Sequence, residues 1–305
     1  MPMLAAAGIA FAVTALLGLW LIPLLRRLKY GQTILDIGPK WHKNKQGIPT
    51  MGGLMFIIGI TSGVVVGFLM LLSGVNPLYM GSLLENVRIV LGLLMALAFG
   101  LVGFVDDYIS VIKKRNLGLS ARQKLVFQIV ISAVYILGLY LAGDTSTIVN
   151  IPFLGQWNLG LFYYPLAILG VSYMVNVVNF ADGVDGLCSS VTFVVSLGFL
   201  AISAILFMPG INMFAAAVAG GCIGFLVWNF NPAQIFMGDT GSMFLGGCVV
   251  AMAFGTGLPA FLIFMGFIYI VEGLSVIIQT LYFKATRALT GTPKRLFKMS
   301  PIHHH

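Results

Sequence analysis

Nine apolar stretches divide this sequence, and most of them are close to twenty residues long. As a helix, a stretch of that length crosses the roughly 30 Å hydrocarbon layer of a bilayer. The stretches predict membrane-spanning helices at residues 3–25, 52–72, 89–105, 125–142, 162–178, 187–207, 213–230, 243–258 and 260–281. We therefore predict an all-α, polytopic membrane bundle in one domain, residues 1–305. Its eighth span is short and rich in glycine, and is the least typical.

Basic residues lie almost entirely on one side of the predicted bundle. The loops after spans 1, 3 and 9 hold 16 of the 17 Lys and Arg residues, and only Arg88 falls on the opposite side. Loops that face the cytoplasm carry an excess of Lys and Arg. The pattern therefore predicts that these loops are cytoplasmic and that the N-terminus lies outside.

Composition narrows the classes of function. The chain is 59% hydrophobic and 9% charged, with a net charge of +8. No helix-turn-helix, zinc-finger or aromatic RNA-binding pattern is present, so the positive charge indicates membrane topology and attraction of anions, not nucleic-acid binding. The three cysteines lack metal-ligand spacing, and the first span lacks a basic leader and a cleavage site. We expect reduced packing cysteines and no cleaved signal peptide.

Small residues recur at helical spacing in two of the spans. Gly59, Gly63 and Gly67 form a stripe in the second span, and Gly220 and Gly224 form a shorter one in the seventh. Such stripes let helix backbones approach closely. We expect them to pack inside the monomer, with a dimer seam as the alternative.

Acidic residues gather at the predicted cytoplasmic ends of the spans. Five of the nine lie there: Asp106, Asp107, Asp182, Asp185 and Asp239. A charged side chain in hydrocarbon costs roughly 2.5–3.5 kcal/mol even on the mildest insertion scale, so such groups are rarely idle. The first two end the third span, where the helix dipole disfavours each acid by about 0.3–1 kcal/mol. A solvated helix end neutralised by Lys113 and Lys114 is the alternative, but the five acids together indicate a metal-assisted active site.

The loop NVVNFADGVDGL, residues 176–187, carries oxygen-rich side chains. Asn179, Asp182 and Asp185 repeat every three residues, and the glycines between them allow sharp turns. Such a loop suits Mg²⁺, sugar hydroxyls or the edge of a base. The alternative is a turn in which Asp185 caps the sixth span.

The segment NFNPAQIFMGDTGS, residues 229–242, precedes the eighth span. Phe236 offers an aromatic face for base stacking, and an interfacial aromatic is the alternative. Asp239 is compatible with a helix N-cap as well as with a site role.

The loop after the third span predicts a helix start. Ser120 and Gln123 form a capping-box pattern, so a helix is expected to begin at Ala121. Arg122 and Lys124 then lie in its first turn, where cations oppose the helix dipole. A phosphate partner and a positive-inside anchor both account for them.

Polar residues near the C-terminus have two interpretations. The chain ends in three histidines at 303–305, which are either a purification tag or native residues, although the preceding Pro-Ile pair is not a usual tag linker. Glu272 and Gln279 lie inside the ninth span. We expect both to make buried hydrogen bonds and not to act in catalysis.

Together these motifs resemble those of a known group of membrane enzymes. The sequence is similar to the polyprenyl-phosphate N-acetylhexosamine-1-phosphate transferase superfamily, and within it to the phospho-N-acetylmuramoyl-pentapeptide transferase family. The DD pair, NxxNxxDGxDGL and the FMGD loop mark the superfamily, and PTMGG and SPIHHH point to the muramoyl family. Across essentially the whole chain, the matching segments are PKWHKNKQGIPTMGG (39–53), GFVDDYISVIKKRN (103–116), GLSARQK (118–124), NVVNFADGVDGL (176–187), NFNPAQIFMGDTGS (229–242) and KMSPIHHH (298–305).

The resemblance implies a reaction and a location. It implies transfer of phospho-MurNAc-pentapeptide from UDP-MurNAc-pentapeptide to undecaprenyl phosphate, with lipid I and UMP as products and Mg²⁺ as the required metal. The expected setting is the lipid bilayer of the bacterial inner membrane, with the site at the cytoplasmic face and the chain in a homodimer. The family has ten transmembrane helices, so we expect this chain to stop before the last one.

The resemblance also implies roles for individual residues. Asp239 is the expected Mg²⁺ ligand, and Asp106 or Asp107 would deprotonate or orient the lipid phosphate. The residues expected to hold the nucleotide are Asn179, Asp182, Asp185, Asn229 and Phe236. The residues expected around phosphate or the muramoyl group are Lys114, Lys124, His303, His304 and His305. Direct attack by the lipid phosphate and a covalent aspartyl intermediate both stay open.

Two other functions share some of these features. A secondary transporter also carries intramembrane carboxylates, but it predicts acids near the bilayer midplane and related half-repeats. Here the acids gather at one face and no repeat is visible. A UDP-GlcNAc:polyprenyl-phosphate transferase shares the acidic motifs, and the histidine-containing tail disfavours it.

The predicted topology can be tested with cysteine substitutions. We expect an impermeant thiol reagent applied outside intact cells to label Gly74→Cys and Asn158→Cys but not Ser110→Cys or Ser190→Cys, because the latter pair neighbours the acidic loops. Labelling after membrane permeabilisation is the control for accessibility. Labelling of Ser110→Cys in intact cells would overturn both the topology and the location of the site.

Overall fold

The computed structural model describes residues 1–28, 47–73, 81–112 and 118–305. A short antiparallel hairpin, β1 (Ile148–Ile151) and β2 (Gly155–Asn158), joins α4 to α5. The helices of the described ranges are α1 (Pro2–Arg27), α2 (Gly53–Leu72), α3 (Leu83–Ile112), α4 (Ala121–Leu141), α5 (Tyr163–Phe180), α6 (Leu187–Ile205), α7 (Pro209–Asn229), α8 (Gly238–Gly255), α9 (Phe261–Met265) and α10 (Phe267–Thr290).

Eight helices of the described ranges are long and apolar enough to cross a membrane, namely α1 to α7 and α10. This finding confirms the predicted all-α, polytopic membrane bundle, and each of the first seven predicted spans matches one helix. The helix α3 is longer than its predicted span at both ends, because polar residues extend it past the apolar stretch. The total number of crossings and the side of the N-terminus stay predictions.

The helix α8 corresponds to the eighth predicted span and lies at the centre of the bundle. Every residue from Thr240 to Gly255 is buried. Gly246 lies against Val175 of α5, and Gly247 lies against Ala96 of α3. Because α8 is covered by protein and not by lipid, small residues serve it better than large apolar ones. The central position of α8 therefore explains why the eighth predicted span is short and rich in glycine.

The ninth predicted span is not one continuous helix. The structure divides it at Gly266 into the short helix α9 and the long helix α10, which continues to Thr290. Gly266 lies so close to the Leu262 carbonyl and to the Met174 side chain that a larger residue would collide with both. Gly266 therefore packs closely at the point where the two helices meet, and the apolar pattern alone does not reveal this break.

The two glycine stripes pack inside the monomer, as predicted. Gly59 and Gly63 of α2 lie against the carbonyl oxygens of Ala10 and Ala6 on α1, and Gly220 of α7 lies against Ala7. The helix α1 is therefore held between α2 and α7 by close backbone contacts. Such contacts stabilise helix pairs in a membrane, where burial of apolar surface supplies little.

The stripe predicts a specific pattern of destabilisation. Gly63→Leu would force α1 and α2 apart, and overpacking of this kind costs about 1–3 kcal/mol. Gly8→Leu is the matched control, because Gly8 of α1 is exposed and nothing lies within 4 Å of an added Cβ. We expect thermal unfolding of the purified protein to show a lower midpoint for Gly63→Leu alone. Equal midpoints for the two variants would contradict this packing.

Candidate active site

Three carboxylates meet where the C-terminal part of α3 lies beside the first turn of α8. One oxygen from each of Asp106, Asp107 and Asp239 lies within 4.8 Å of the others. The first two are only 6% and 9% exposed, so they do not form a solvated helix end, and that alternative is wrong. We call these three residues the carboxylate cluster and this part of the bundle its acidic end.

Asp107 holds the N-terminus of α8. Its Oδ1 accepts a hydrogen bond from the Asp239 amide at 3.2 Å. Its Oδ2 accepts bonds from the Thr240 amide at 2.9 Å and the Thr240 hydroxyl at 2.6 Å. A helix N-terminus carries unsatisfied N–H groups and partial positive charge, so a carboxylate there is stabilised. Asp239 lies inside the first turn of α8 and is not its N-cap, which corrects the capping interpretation.

Lys124 joins two members of the carboxylate cluster. Its Nζ lies 3.0 Å from Asp106 Oδ2 and 2.5 Å from Asp239 Oδ2. The predicted capping box is confirmed: Ser120 accepts a bond from the Gln123 amide, and α4 begins at Ala121. The capping box therefore fixes the helix start that aims this lysine at the two carboxylates. Their negative charge compensates for a cation in the first turn of a helix.

The remaining bonds of the cluster come from its immediate neighbours. Asp106 Oδ1 accepts a bond from the Leu119 amide at 2.6 Å. The Asn179 amide nitrogen donates to Asp239 Oδ1 at 3.0 Å and to the Ser242 hydroxyl at 2.8 Å. Both oxygens of Asp239 are therefore held, one by an amide and one by an ammonium group. This arrangement fixes the carboxylate direction before any ligand binds.

Asn229 joins two loops from a buried position. Only 2% of the residue is exposed, and its Oδ1 accepts a bond from the Gly186 amide at 3.0 Å. Its Nδ2 donates to the Ile235 carbonyl at 2.8 Å. Both polar atoms of the side chain thus form hydrogen bonds, one to the α5–α6 loop and one to the α7–α8 loop. Asn229 positions these loops.

Asp185 bonds to the α7–α8 loop. Its Oδ2 accepts bonds from the Asn231 side chain and the Ala233 amide, each at 3.2 Å. The N-cap of α6 is Gly186, whose φ of 74° suits glycine, and this cap has no side-chain hydrogen bond. The alternative in which Asp185 caps the sixth span is therefore wrong. Asp185 and Asn229 thus join the same two loops through different hydrogen bonds.

A polar cavity of about 270 Å³ opens beside the cluster. Phe236 forms part of its wall, and the backbone around Phe236 is fixed by two bonds to the segment before α2, to Pro49 at 2.9 Å and from Gly52 at 2.8 Å. These bonds bring Thr50 into the cavity, a residue that the sequence analysis did not select although it lies in the PTMGG motif. The lining residues are Thr50, Asp107, Asn179, Asp182, Gly183, Val184, Phe236, Gly238, Asp239 and His304.

The carboxyl of Asp182 is buried beside other acids of the cavity. Burial raises the pKa of its carboxyl to about 8, and the charges of Asp239, Asp107 and Asp185 add to the increase. The acid therefore binds a proton more tightly than an exposed aspartate does. A cation placed among these carboxylates would reverse that effect.

The C-terminal tail folds back onto the cavity. Gln279 of α10 accepts bonds from the Leu296 and Phe297 amides at 3.0 and 2.9 Å and donates to the Phe297 carbonyl at 3.2 Å. Glu272 lies 3.1 Å from His303 Nδ1. The expectation that Glu272 and Gln279 make buried hydrogen bonds is thus confirmed.

The three histidines occupy different environments. His304 lines the cavity, His303 is buried beside it, and His305 is exposed and accepts a bond from the Lys298 amide at 3.1 Å. Lys114, the other basic residue expected near phosphate, lies outside the described residues. Of the three histidines, His304 thus lines the cavity and His303 contacts His304.

Comparison with known proteins decides the family. Residues 89–257 match the model of glycosyl transferase family 4, and residues 45–57 match signature 1 of the phospho-N-acetylmuramoyl-pentapeptide-transferases. The phospho-N-acetylmuramoyl-pentapeptide-transferase of Heliobacterium modesticaldum is 47% identical over 298 residues, 97% of this chain and 86% of the relative. The same enzyme of Acetivibrio thermocellus is 44% identical over 301 residues, 97% of this chain and 84% of the relative. This chain belongs to the phospho-N-acetylmuramoyl-pentapeptide transferase family.

The carboxylate cluster of this transferase fits a hard divalent cation. Such ions prefer carboxylate oxygens, and here three aspartates offer them within 4.8 Å. Lys124 supplies one positive charge against the three carboxylates, so the cluster retains negative charge. The donor set therefore suits a metal-dependent phosphotransferase.

The lysine and a divalent cation should compete for the same carboxylates. We expect Lys124→Met to raise the thermal stabilisation produced by added Mg²⁺, because removal of the ammonium group leaves the cluster more negative. Asp239→Asn should lower that stabilisation. Lys284→Met is the control, since Lys284 is an exposed residue of α10. Equal Mg²⁺-dependent shifts for the Lys124 and Lys284 variants would exclude the cluster as the cation site.

Proposed function

We propose that this chain transfers phospho-MurNAc-pentapeptide from UDP-MurNAc-pentapeptide to undecaprenyl phosphate, giving lipid I and UMP in peptidoglycan synthesis. The observation that carries this proposal is the carboxylate cluster with Lys124 beside a polar cavity, in a membrane protein of this transferase family. Phosphoryl transfer requires mainly positioning and neutralisation of charge, and this site offers groups for both.

The reaction takes place at the cytoplasmic face of the bacterial inner membrane. The concentration of Lys and Arg in the loops at the acidic end supports this location. The donor is water-soluble, whereas the acceptor keeps its phosphate at the headgroup layer, so a site at the interface meets both. The chain acts within the lipid bilayer, and we expect it to form a homodimer.

In the transfer, an oxygen of undecaprenyl phosphate attacks the phosphorus that carries the muramoyl sugar. The bond from that phosphorus to the oxygen shared with the UMP phosphate breaks, and UMP leaves with this oxygen and its electron pair. Asp106 and Asp107 orient the lipid phosphate, and one of them accepts its proton where it carries one. This role is supported by the ion pair between Asp106 and Lys124 and by the close approach of both carboxylates to Asp239.

Mg²⁺ is the proposed metal, with Asp239 as its main ligand and Asp106 and Asp107 close enough to contribute. When bound, it neutralises the diphosphate and stabilises the leaving UMP. Asn179 and Lys124 hold the Asp239 carboxylate in place, and Lys124 adds positive charge beside the transferred phosphoryl group.

The nucleotide lies against the α5–α6 and α7–α8 loops. Phe236 stacks on the base, and Asn179 and Asp182 bond to polar groups of the nucleotide from the same wall. Asp185 and Asn229 contribute by holding the two loops together. The residues that we assign to the phosphates and the muramoyl group are Lys114, Lys124, His303, His304 and His305.

The family match separates this function from its two rivals. The muramoyl signature and the named relatives favour the muramoyl donor over UDP-GlcNAc. The carboxylates lie at one end of α3 and α8 and not near the middle of the helices, which disfavours a transporter with acids at the bilayer midplane.

An assay of UMP release tests the proposal. We expect release from UDP-MurNAc-pentapeptide with undecaprenyl phosphate and Mg²⁺, and none above background from UDP-GlcNAc. Asp239→Asn should lower the rate roughly 100- to 1000-fold, because it removes the carboxylate charge that would hold Mg²⁺ at the diphosphate. Asp144→Asn is the control: this acid pairs with Arg88, at the opposite end of α3, and should keep near wild-type activity.

The same assay distinguishes the two mechanisms. Because the lipid phosphate is itself a competent nucleophile, we expect no UMP without undecaprenyl phosphate. One equivalent of UMP per site, with a phosphosugar left on the protein, would instead establish a covalent intermediate.

Equal rates of UMP release from UDP-MurNAc-pentapeptide and from UDP-GlcNAc would refute the assignment of the muramoyl donor.

A further inference from the structure

A buried acid–histidine pair lies behind the cavity, apart from the carboxylate cluster. Glu272 and His303 have side chains that are 7% and 8% exposed, and Glu272 Oε2 lies 3.1 Å from His303 Nδ1. We propose that Glu272 is a positioning residue that fixes the ring of His303 and, through it, the orientation and protonated nitrogen of His304 at the cavity wall. This inference rests on the proposed function of the cavity.

The contacts form a continuous chain from α10 to the cavity. The His303 ring is fixed to Glu272 through Nδ1, and the His303 backbone amide also points to the same carboxylate oxygen at 3.5 Å. On the other side of the ring, His303 Nε2 lies 3.1 Å from His304 Nε2. His304 in turn lines the cavity with Asp182 and Asp239.

The loop opposite the histidines is shaped to admit them. A Cβ at Gly183 would collide with the His303 ring and would lie 3.2 Å from His304 Nε2, a tight contact. Gly183 follows Asp182 on the same cavity wall. The histidine pair is thus packed against a lining loop and is not an appended tail on the surface.

Docking of the tail does not require an acid at position 272. Gln279 already holds the tail through three hydrogen bonds to backbone groups of Leu296 and Phe297. A carboxylate within a membrane-spanning helix costs free energy. Such groups usually pair with a partner inside the bundle and mark functional sites. Besides its long contact with the His303 backbone amide, at 3.5 Å, Glu272 contacts the His303 ring, and its specific contribution is to that ring.

The chemistry of imidazole turns this contact into control of protonation. An ionised carboxylate only accepts hydrogen bonds, so His303 must carry a proton on Nδ1. In the neutral ring Nε2 is then an acceptor, and the His304 nitrogen that faces it must be protonated. A carboxylate behind a histidine sets ring orientation and tautomer in many sites. Glu272 thereby specifies which nitrogen of His304 carries a proton beside the substrate.

Nitrogen-15 NMR of the histidines tests the positioning role without reference to turnover. The chain has four histidines, so the imidazole signals can be assigned by substitution. We expect Glu272→Ala to move His303 away from the tautomer protonated on Nδ1, whereas Gln279→Ala should leave that tautomer in place. An unchanged His303 tautomer in Glu272→Ala would overturn the proposal.

A double-mutant cycle tests the link to turnover. With UDP-MurNAc-pentapeptide and undecaprenyl phosphate, we expect Glu272→Ala to lower kcat about 10- to 100-fold. Glu272→Gln, which keeps an acceptor oxygen, should lose less. The double variant Glu272→Ala/His303→Ala should have a kcat only slightly lower than that of His303→Ala alone, because the two residues act as one unit.

The control and the contrary outcome separate positioning from mere docking. Gln279→Ala loosens the tail without touching the rings, so its effect on the rate should add to that of His303→Ala. Additive effects for Glu272 and His303 would reduce Glu272 to a docking residue and overturn the inference. Loss of wild-type transfer from UDP-MurNAc-pentapeptide would refute the proposed function instead, and the tautomer measurement would still decide the role of Glu272.

Discussion

The hydrogen bonds between Asp107 and the N-terminus of α8 are the interaction on which the site depends. One carboxylate receives two backbone N–H groups and the Thr240 hydroxyl, which join α3 to α8 across 133 residues of sequence. Hydrogen bonds to a charged group contribute about 1.5–3 kcal/mol each. Because the first turn of α8 is held here, Asp239 lies within reach of Asp106 and Lys124.

The same arrangement explains how three acids can lie side by side. Each carboxylate accepts hydrogen bonds from its own donors. Asp107 accepts them from the N-terminus of α8, Asp106 from the Leu119 amide, and Asp239 from the side-chain amide of Asn179. Lys124 forms ion pairs with Asp106 and Asp239. The cluster also acts on its neighbour Asp182: burial raises the pKa of that carboxyl, and the charges of Asp239 and Asp107 add to the increase. Such a site attracts cations and can support the charge changes of phosphoryl transfer.

Close backbone packing gives the cluster a rigid base. Gly103 of α3 lies against the Asp239 carbonyl, Gly53 of α2 lies against Gly241, and Gly118 lies against Asp106. Side chains at these positions would separate the elements that carry the acids. Glycine is therefore needed here for close approach, and α8 is enclosed so completely that its direction is set by its neighbours.

The amino-acid sequence alone determined the features that depend on local rules. The length and apolarity of the spans predicted an all-α membrane bundle, the Ser120 and Gln123 pattern predicted the start of α4, and the acidic motifs predicted the carboxylates that meet at one end. Only the tertiary structure decided that Asp107 and not Asp239 holds the start of α8, that Asn229 and Asp185 join two loops, that Thr50 enters the cavity and that Glu272 meets His303. Helix formation and capping depend on residues three or four positions apart, so sequence reveals them. The other features depend on contacts between residues far apart in the chain, and these exist only once the helices have packed.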